Sequence, residues 1–265
     1  MWRRRSRPIS VTFHLNDLSG QVLLYFLVFS RVGAMVMLLP AIGEAGVPSR
    51  VRLALALAIS FAMAPALAGT YPHVPVDSVM SLAVLIGQEI TAGVLVGGMA
   101  RLIMAVLSVA GQLIATQTGL AYTQTIDPTF GDQGAIVGTF FNMLGVVLIF
   151  TTNLHHLAIG AIHGSYVIIP PGAPLPFDDM AQEAINIVSG SFALGLELAA
   201  PFLVFGIAVN VGIGMIGRLV PQIQVFFVAQ PVNILAGFFI MMLLMGSLMT
   251  IFLNYYATEM GRFAG

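Results

Sequence analysis

Apolar residues run in long, nearly uninterrupted stretches along this chain, and the polar positions gather at their ends. Six stretches stand out: Leu18 to Leu39, Val51 to Ala68, Val79 to Thr118, Ile136 to Ile169, Ile185 to Gly217 and Phe226 to Ala257. Each is long enough for a spanning helix, which takes about 17–25 residues. A membrane barrel would instead alternate apolar and polar residues in segments of ~10. The pattern therefore predicts an all-α integral membrane protein built from helical hairpins. Two stretches exceed one crossing, since about forty helical residues reach ~60 Å against a hydrocarbon core of ~30 Å. They are either paired short helices or long helices that leave the bilayer and are covered by other protein. Boundaries are predicted at Pro40 and Pro48, at Pro72 and Pro75, at Asp127-Pro128, at the cluster Pro170, Pro171, Pro174 and Pro176, and at Pro221 with Pro231. With no internal repeat or soluble segment in the pattern, residues 1–265 read as one membrane domain with a short Arg-rich stretch over 1–17.

Composition agrees with that class. Apolar residues make up 58% of the chain and charged residues only 8%, whereas a soluble globule carries about 25% charged. The mean hydropathy is +0.97. Every basic residue is arginine, and Arg3, Arg4, Arg5 and Arg7 precede the first apolar stretch. That stretch is longer than the usual ~7–15 apolar residues of a cleaved leader, so a retained signal anchor is expected. The four N-terminal arginines favour a cytoplasmic N-terminus, but one crossing then puts Arg50 and Arg52 on the other side, leaving the orientation open. The chain has no cysteine, which excludes disulfides and thiolate metal sites.

Charges inside apolar stretches are candidates for function, because an ionised side chain at mid-bilayer costs at least ~2.5–3.5 kcal/mol. Here they are Arg31, Glu89, Arg101 and Glu197, with Arg218 near a stretch end. They mark either an ion or proton pathway, or interhelical pairing and snorkelling at helix ends. Glu89 and Arg101, twelve residues apart, cannot touch directly. Only Glu89 and Glu197 sit where a proton-coupled carrier needs a titratable group, which keeps a small-solute or ion-coupled carrier as the alternative function. His155, His156 and His163 lack the i, i+4 spacing and the nearby acid of a zinc helix. Without a nucleophile elbow, a Walker loop or paired intramembrane carboxylates, no catalytic residue, metal, cofactor or nucleic-acid partner is expected, and the chain does not read as an enzyme. Gly93, Gly97 and Gly98, then Gly206, Gly212, Gly214 and Gly217, are expected to let helices approach closely. Met241, Met242, Met245 and Met249 read as a packing face.

Two interruptions carry more information. One is Val220 to Pro231, V-P-Q-I-Q-V-F-F-V-A-Q-P, a proline-framed break containing Pro221, Gln222, Phe226 and Pro231. The other is Gly119 to Gly131, where Leu120, Tyr122, Thr125, Ile126, Asp127, Pro128 and Phe130 mix apolar and small polar groups between helix-ending residues. Irregular backbone near membrane depth is tolerated only where protein buries it or where it lines a wet cavity. Tyr122 and Ile126 are then positioned to form a hydrophobic constriction that blocks ions by dewetting, although a plain surface turn also fits the residues.

Taken together these motifs make the chain resemble the FliR/SctT family of the flagellar and virulence type III export gate, over nearly its full length. The resemblance rests on Ser30-Arg31-Val32 with Pro40, on Glu44-Ala-Gly-Val-Pro-Ser-Arg-Val-Arg52, and on Gly111-Gln-Leu-Ile with Gln117-Thr-Gly-Leu-Ala-Tyr122. It continues through Ile126-Asp-Pro128 and Asn153-Leu-His155 to Gly217-Arg-Leu-Val-Pro-Gln-Ile-Gln-Val-Phe226 and Gln230-Pro231, the most specific block. The resemblance implies a core subunit of a pore for unfolded polypeptides in the bacterial inner membrane, with the flagellar basal body as one setting. It implies FliP-like and FliQ-like neighbours, FlhB-like and FlhA-like export partners, contact with membrane lipid, and an assembly lifted partly out of the membrane plane. It also implies a pore plug over Leu120 to Asp132, with Tyr122 at an aromatic plug position. Thr125 replaces a second aromatic found in a relative, leaving Ile126 or Phe130 to compensate.

Overall fold

The computed structural model describes residues 15–40, 42–44, 46–71, 79–120, 134–219 and 225–265. Among the described residues the regular elements are all helical: α1 (Leu15–Leu38), α2 (Ser49–Leu67), α3 (Val79–Gln117), α4 (Gly134–Thr151), α5 (His155–Ile168), α6 (Phe177–Leu219) and α7 (Val225–Ala264). By length and composition α1, α2, α3, α6 and α7 can each cross a membrane, and α4 with α5 passes the same test together as a bent pair, the form of a broken span or a re-entrant loop.

Both alternatives for the overlong stretches occur. Val79 to Gln117 is one unbroken helix of 39 residues, about 58 Å long. The stretch expected as one segment from Ile136 to Ile169 is instead two helices bent by 82°. The bend falls at Asn153, whose φ of 60° is a left-handed conformation that asparagine tolerates. The last two helices are longer than their apolar cores suggested, at 43 and 40 residues. Asp178 and Asp179 in the first turn of α6 and Arg218 in its last turn complement the helix dipole, so the polar flanks extend the helix rather than end it.

The expected break at Pro231 is corrected: α7 runs through it. Proline seven residues into a helix removes one backbone hydrogen bond, a loss that neighbouring helices and local adjustment make tolerable in membrane proteins. Pro65 and Pro201 are likewise absorbed within α2 and α6. Pro221 and Gln222 lie outside the described residues.

Helix α3 is the axis of the fold, packing against α1, α4 and α6, while α5 packs on α7 and α2 on α1. Glycine makes the close crossings. A Cβ at Gly93 would collide with the Arg31 carbonyl of α1, and one at Gly111 with the Gly138 backbone of α4. Gly97 and Gly206 are also in close contact, whereas Gly98, Gly212, Gly214 and Gly217 have nothing near them. Met241 and Met249 enter the core, but Met242 is 69% exposed, so the methionine stripe only partly serves packing within the chain.

Candidate functional site

At the C-terminal end of α3 the chain turns into the 121–133 segment through a tightly held root. Gln117 rests against Gly206 of α6, and Thr118, fully buried, rests against Gly237 of α7. The Thr118 hydroxyl donates to the Ile114 carbonyl at 2.9 Å, closing the last helical turn. Gly119 then adopts φ 80°, and its carbonyl accepts a hydrogen bond from Gln230 Nε2 of α7 at 2.9 Å. Glycine is required there twice over: the conformation disfavours any L side chain, and a Cβ would strike the Gln230 amide. Gly119→Ala is therefore expected to destabilise the chain by about 1–2 kcal/mol from backbone conformation alone, read as a lower thermal unfolding midpoint in detergent. An unchanged midpoint would remove the clamp.

Leu120, the one candidate of the expected plug segment among the described residues, is half-buried beyond that turn. It lines an apolar cavity of about 460 Å³ with Ile136, Val137 and Phe140 of α4 and Phe238, Met241, Met242 and Met245 of α7. Described residues on either side of the 121–133 segment, Leu120 before it and Ile136 and Val137 after it, thus line one cavity. Tyr122, Thr125, Ile126, Asp127, Pro128 and Phe130 lie outside the described residues. Pro231 is exposed one residue after Gln230, Phe226 falls in the first turn of α7, and Arg218 is exposed at the end of α6.

The buried charges meet at the opposite half of α3. Arg31 and Glu89, each 1% exposed, form a forked ion pair: Nε to Oε2 at 2.7 Å and Nη2 to Oε1 at 3.1 Å. The remaining guanidinium nitrogen, Nη1, donates to the carbonyls of Ser165 at 3.0 Å and Ile169 at 2.7 Å. Those carbonyls lie where α5 ends, because Pro170 and Pro171 have no N–H with which to continue the helix. A cation suits the negative end of a helix dipole. The Arg31 guanidinium also stacks 4.3 Å over the Tyr166 ring, a cation–π contact. Tyr71, just beyond α2, donates to Glu89 Oε2 at 3.1 Å. Burial, reinforced by the Glu89 carboxylate beside it, pushes the Tyr71 hydroxyl far above the usual phenol range, so it remains a protonated donor. Four segments of the chain are tied at one point by these contacts.

Of the charged candidates, then, the fold brings together only Arg31 and Glu89. Arg101 and Glu197 are exposed on α3 and α6 rather than buried, a correction that follows from their helical phase: each sits on a face that no other helix among the described residues covers. Tyr71, Ser165 and Tyr166 were not singled out by sequence, and Gln230 stood there only in the Gln230-Pro231 motif, without a contact assigned to it. Nothing in their spacing distinguishes them, since their roles depend on partners 18 to 138 residues away. His155 and His156 stack with ring centroids 4.3 Å apart beside Phe150 at the α4–α5 bend, and His163 is exposed.

Comparison with known proteins agrees with this architecture. The chain is 38% identical to the "Flagellar biosynthetic protein FliR" of Caulobacter vibrioides over 236 residues, covering 89% of this chain and 94% of that protein. It is 31% identical to the protein of the same name from Escherichia coli, over 84% of each chain. Its identity to the "Yop proteins translocation protein T" of Yersinia pestis is 27%, covering 80% of this chain and 82% of that one. None of these likenesses supports the carrier alternative. The family model described as "Bacterial export proteins, family 1" matches residues 22–258, and with it the chain belongs to that family, as a multi-pass inner-membrane component of the flagellar/type III export apparatus and not an enzyme.

Proposed function

We propose that this chain is a core subunit of the export pore and that residues 120–132 plug it at rest. Tyr122 and Ile126 obstruct the lumen, Asp127 and Pro128 fix the segment's shape, and unfolded substrate opens it by binding the open form better than the closed one. The observation that carries this reading is the convergence of described residues from both sides of the segment on one apolar cavity, with the first side clamped to α7 through Gly119 and Gln230. A plug must return to one place after each passage, and a rooted loop does so where a free one does not. Because no nucleotide motif is present in the sequence, the driving energy comes from partners.

FliP-like and FliQ-like subunits are the proposed neighbours, with FlhB-like and FlhA-like proteins acting beside them, and residues 1–265 form one membrane domain. Support comes from the open half of the α6–α7 hairpin, where Val204, Ile207, Val211, Val228, Val232 and Leu235 are each at least 58% exposed. Helices of about 60 Å with apolar faces beyond a ~30 Å core need protein to cover them. The flagellar names of the more similar relatives favour flagellar substrates.

Replacing residues 120–128 with a Gly/Ser linker is expected to raise ion conductance through the assembled pore, recorded in planar bilayers. Unchanged conductance from an intact assembly sinks the plug.

A further inference from the structure

Along α3 one face is open to the outside, and its chemistry changes half-way. The N-terminal part of that face is apolar, with Ile90 and Val94 43% and 46% exposed. From Arg101 onward the exposed positions are Arg101, Ser108, Gln112 and Thr116. Spacings of seven, four and four residues keep them on one side of a helix with 3.6 residues per turn, and they extend over about 22 Å. Helix α6 packs on one flank, where Gly195 meets Val106 and Val109. Helix α4 packs on the other, and its Asn142 reaches the stripe by donating from Nδ2 to Ser108 Oγ at 2.8 Å.

Lipid is an unsuitable neighbour for this face. An arginine facing mid-bilayer lipid costs at least ~2.5–3.5 kcal/mol, and the glutamine and hydroxyl groups add to that. Arg31 shows what a buried cation receives in this chain: a forked carboxylate, two carbonyls and an aromatic ring. Arg101 makes no ion pair among the described residues and stays exposed. The arrangement is suited to water.

We propose that Arg101, Ser108, Gln112 and Thr116, with Asn142, form a water-facing wall of the passage, along which an extended polypeptide moves. The proposal rests on the export-pore reading above and assigns this chain's part of the lumen. Amide and hydroxyl groups at intervals of one or two turns offer exchangeable hydrogen bonds to main-chain N–H and C=O groups of any sequence. They hold no particular side chain, which suits a conduit for unfolded chains of varied composition. Arg101 places a fixed positive charge at the end of the stripe farthest from the clamped root, where it favours anions over cations.

The chain contains no cysteine, so single-cysteine variants report without background. Ser108→Cys, Gln112→Cys and Thr116→Cys are compared with Ile90→Cys and Val94→Cys in the assembled, loop-replaced pore, using a membrane-impermeant cationic methanethiosulfonate reagent. Thiols in water ionise and react readily, whereas apolar surroundings raise the thiol pKa, so stripe positions are expected to label at least about tenfold faster. A stalled polypeptide in the pore should protect them. As a second measurement, Arg101→Gln in the same background should shift the reversal potential under a salt gradient toward cation preference. Stripe cysteines as slow as Val94→Cys in a conducting assembly, or an unchanged reversal potential, overturn the proposal and assign the face to contacts with partner helices. Failure of the plug reading is distinct: there the loop replacement leaves conductance unchanged while the stripe still labels in the native pore.

Discussion

Arg31→Ala should leave little folded protein in the membrane. Removing the guanidinium strands the Glu89 carboxylate in a site that is 1% exposed, leaving Tyr71 as its one described donor. It also takes a donor from two carbonyls at the end of α5, of which Ser165 keeps the Ile169 N–H. Breaking a buried pair by deleting one partner costs about 3–5 kcal/mol, against a total stability of about 5–15 kcal/mol. Glu89→Ala should do comparable damage by leaving the arginine uncompensated. The double variant Arg31→Met/Glu89→Leu should be more stable than either single variant, because an apolar pair of similar volume needs no counter-charge. It should not regain wild-type stability, since the Tyr71 hydroxyl loses Glu89 and the Ile169 carbonyl loses Arg31, at about 1–3 kcal/mol for each group left unsatisfied. Arg31→Lys should fall in between: an ammonium cannot keep the forked pair, both carbonyls and the ring contact together. Thermal unfolding in detergent and the membrane-inserted fraction measure these effects. Additive losses in the double variant would contradict the pair as drawn.

Gly111→Val is the second large effect. The Gly111 position of α3 faces the backbone of Gly138 on α4, where an added Cβ meets main-chain atoms rather than a side chain that can swing away. The two helices must separate, losing the contacts of Leu107 with Gly145 and of Asn142 with Ser108. A loss of about 3 kcal/mol is expected, at the upper end for overpacking. Gly98→Ala provides the control, because nothing lies within 4 Å of that position and alanine is about 1 kcal/mol better in a helix. Melting curves of the two variants should move in opposite directions. Equal behaviour would mean that the α3–α4 crossing is looser than the structure places it.

These predictions also show how far residue patterns reach. The helical class, the membrane setting and the approximate position of each segment follow from runs of apolar residues, because a spanning helix must be apolar over a length set by the bilayer. Export-gate membership was legible in short motifs around Arg31, Gln117 and Gly217. The kink at Asn153 was not, since one residue at positive φ leaves no mark on an apolar run. Nor was the continuity of α7 through Pro231, which depends on neighbours that make a lost hydrogen bond tolerable. Glycine patterns were informative only in part: Gly93 and Gly97 make crossings, while Gly98 and Gly212 do not, and the difference lies in rotational phase relative to helices elsewhere in the chain.

By itself, then, the sequence determined that this is a helical membrane protein of an export family, because hydrophobic length and local motifs are properties of contiguous residues. Tertiary structure alone decided that Arg31 is the partner of Glu89, that Gln230 clamps Gly119, and that Arg101 stays on an open face. The physical reason is common to all three. A charge or amide in an apolar helix is costly until a partner or water meets it, and which of these it meets depends on how segments 58 to 138 residues apart are brought side by side.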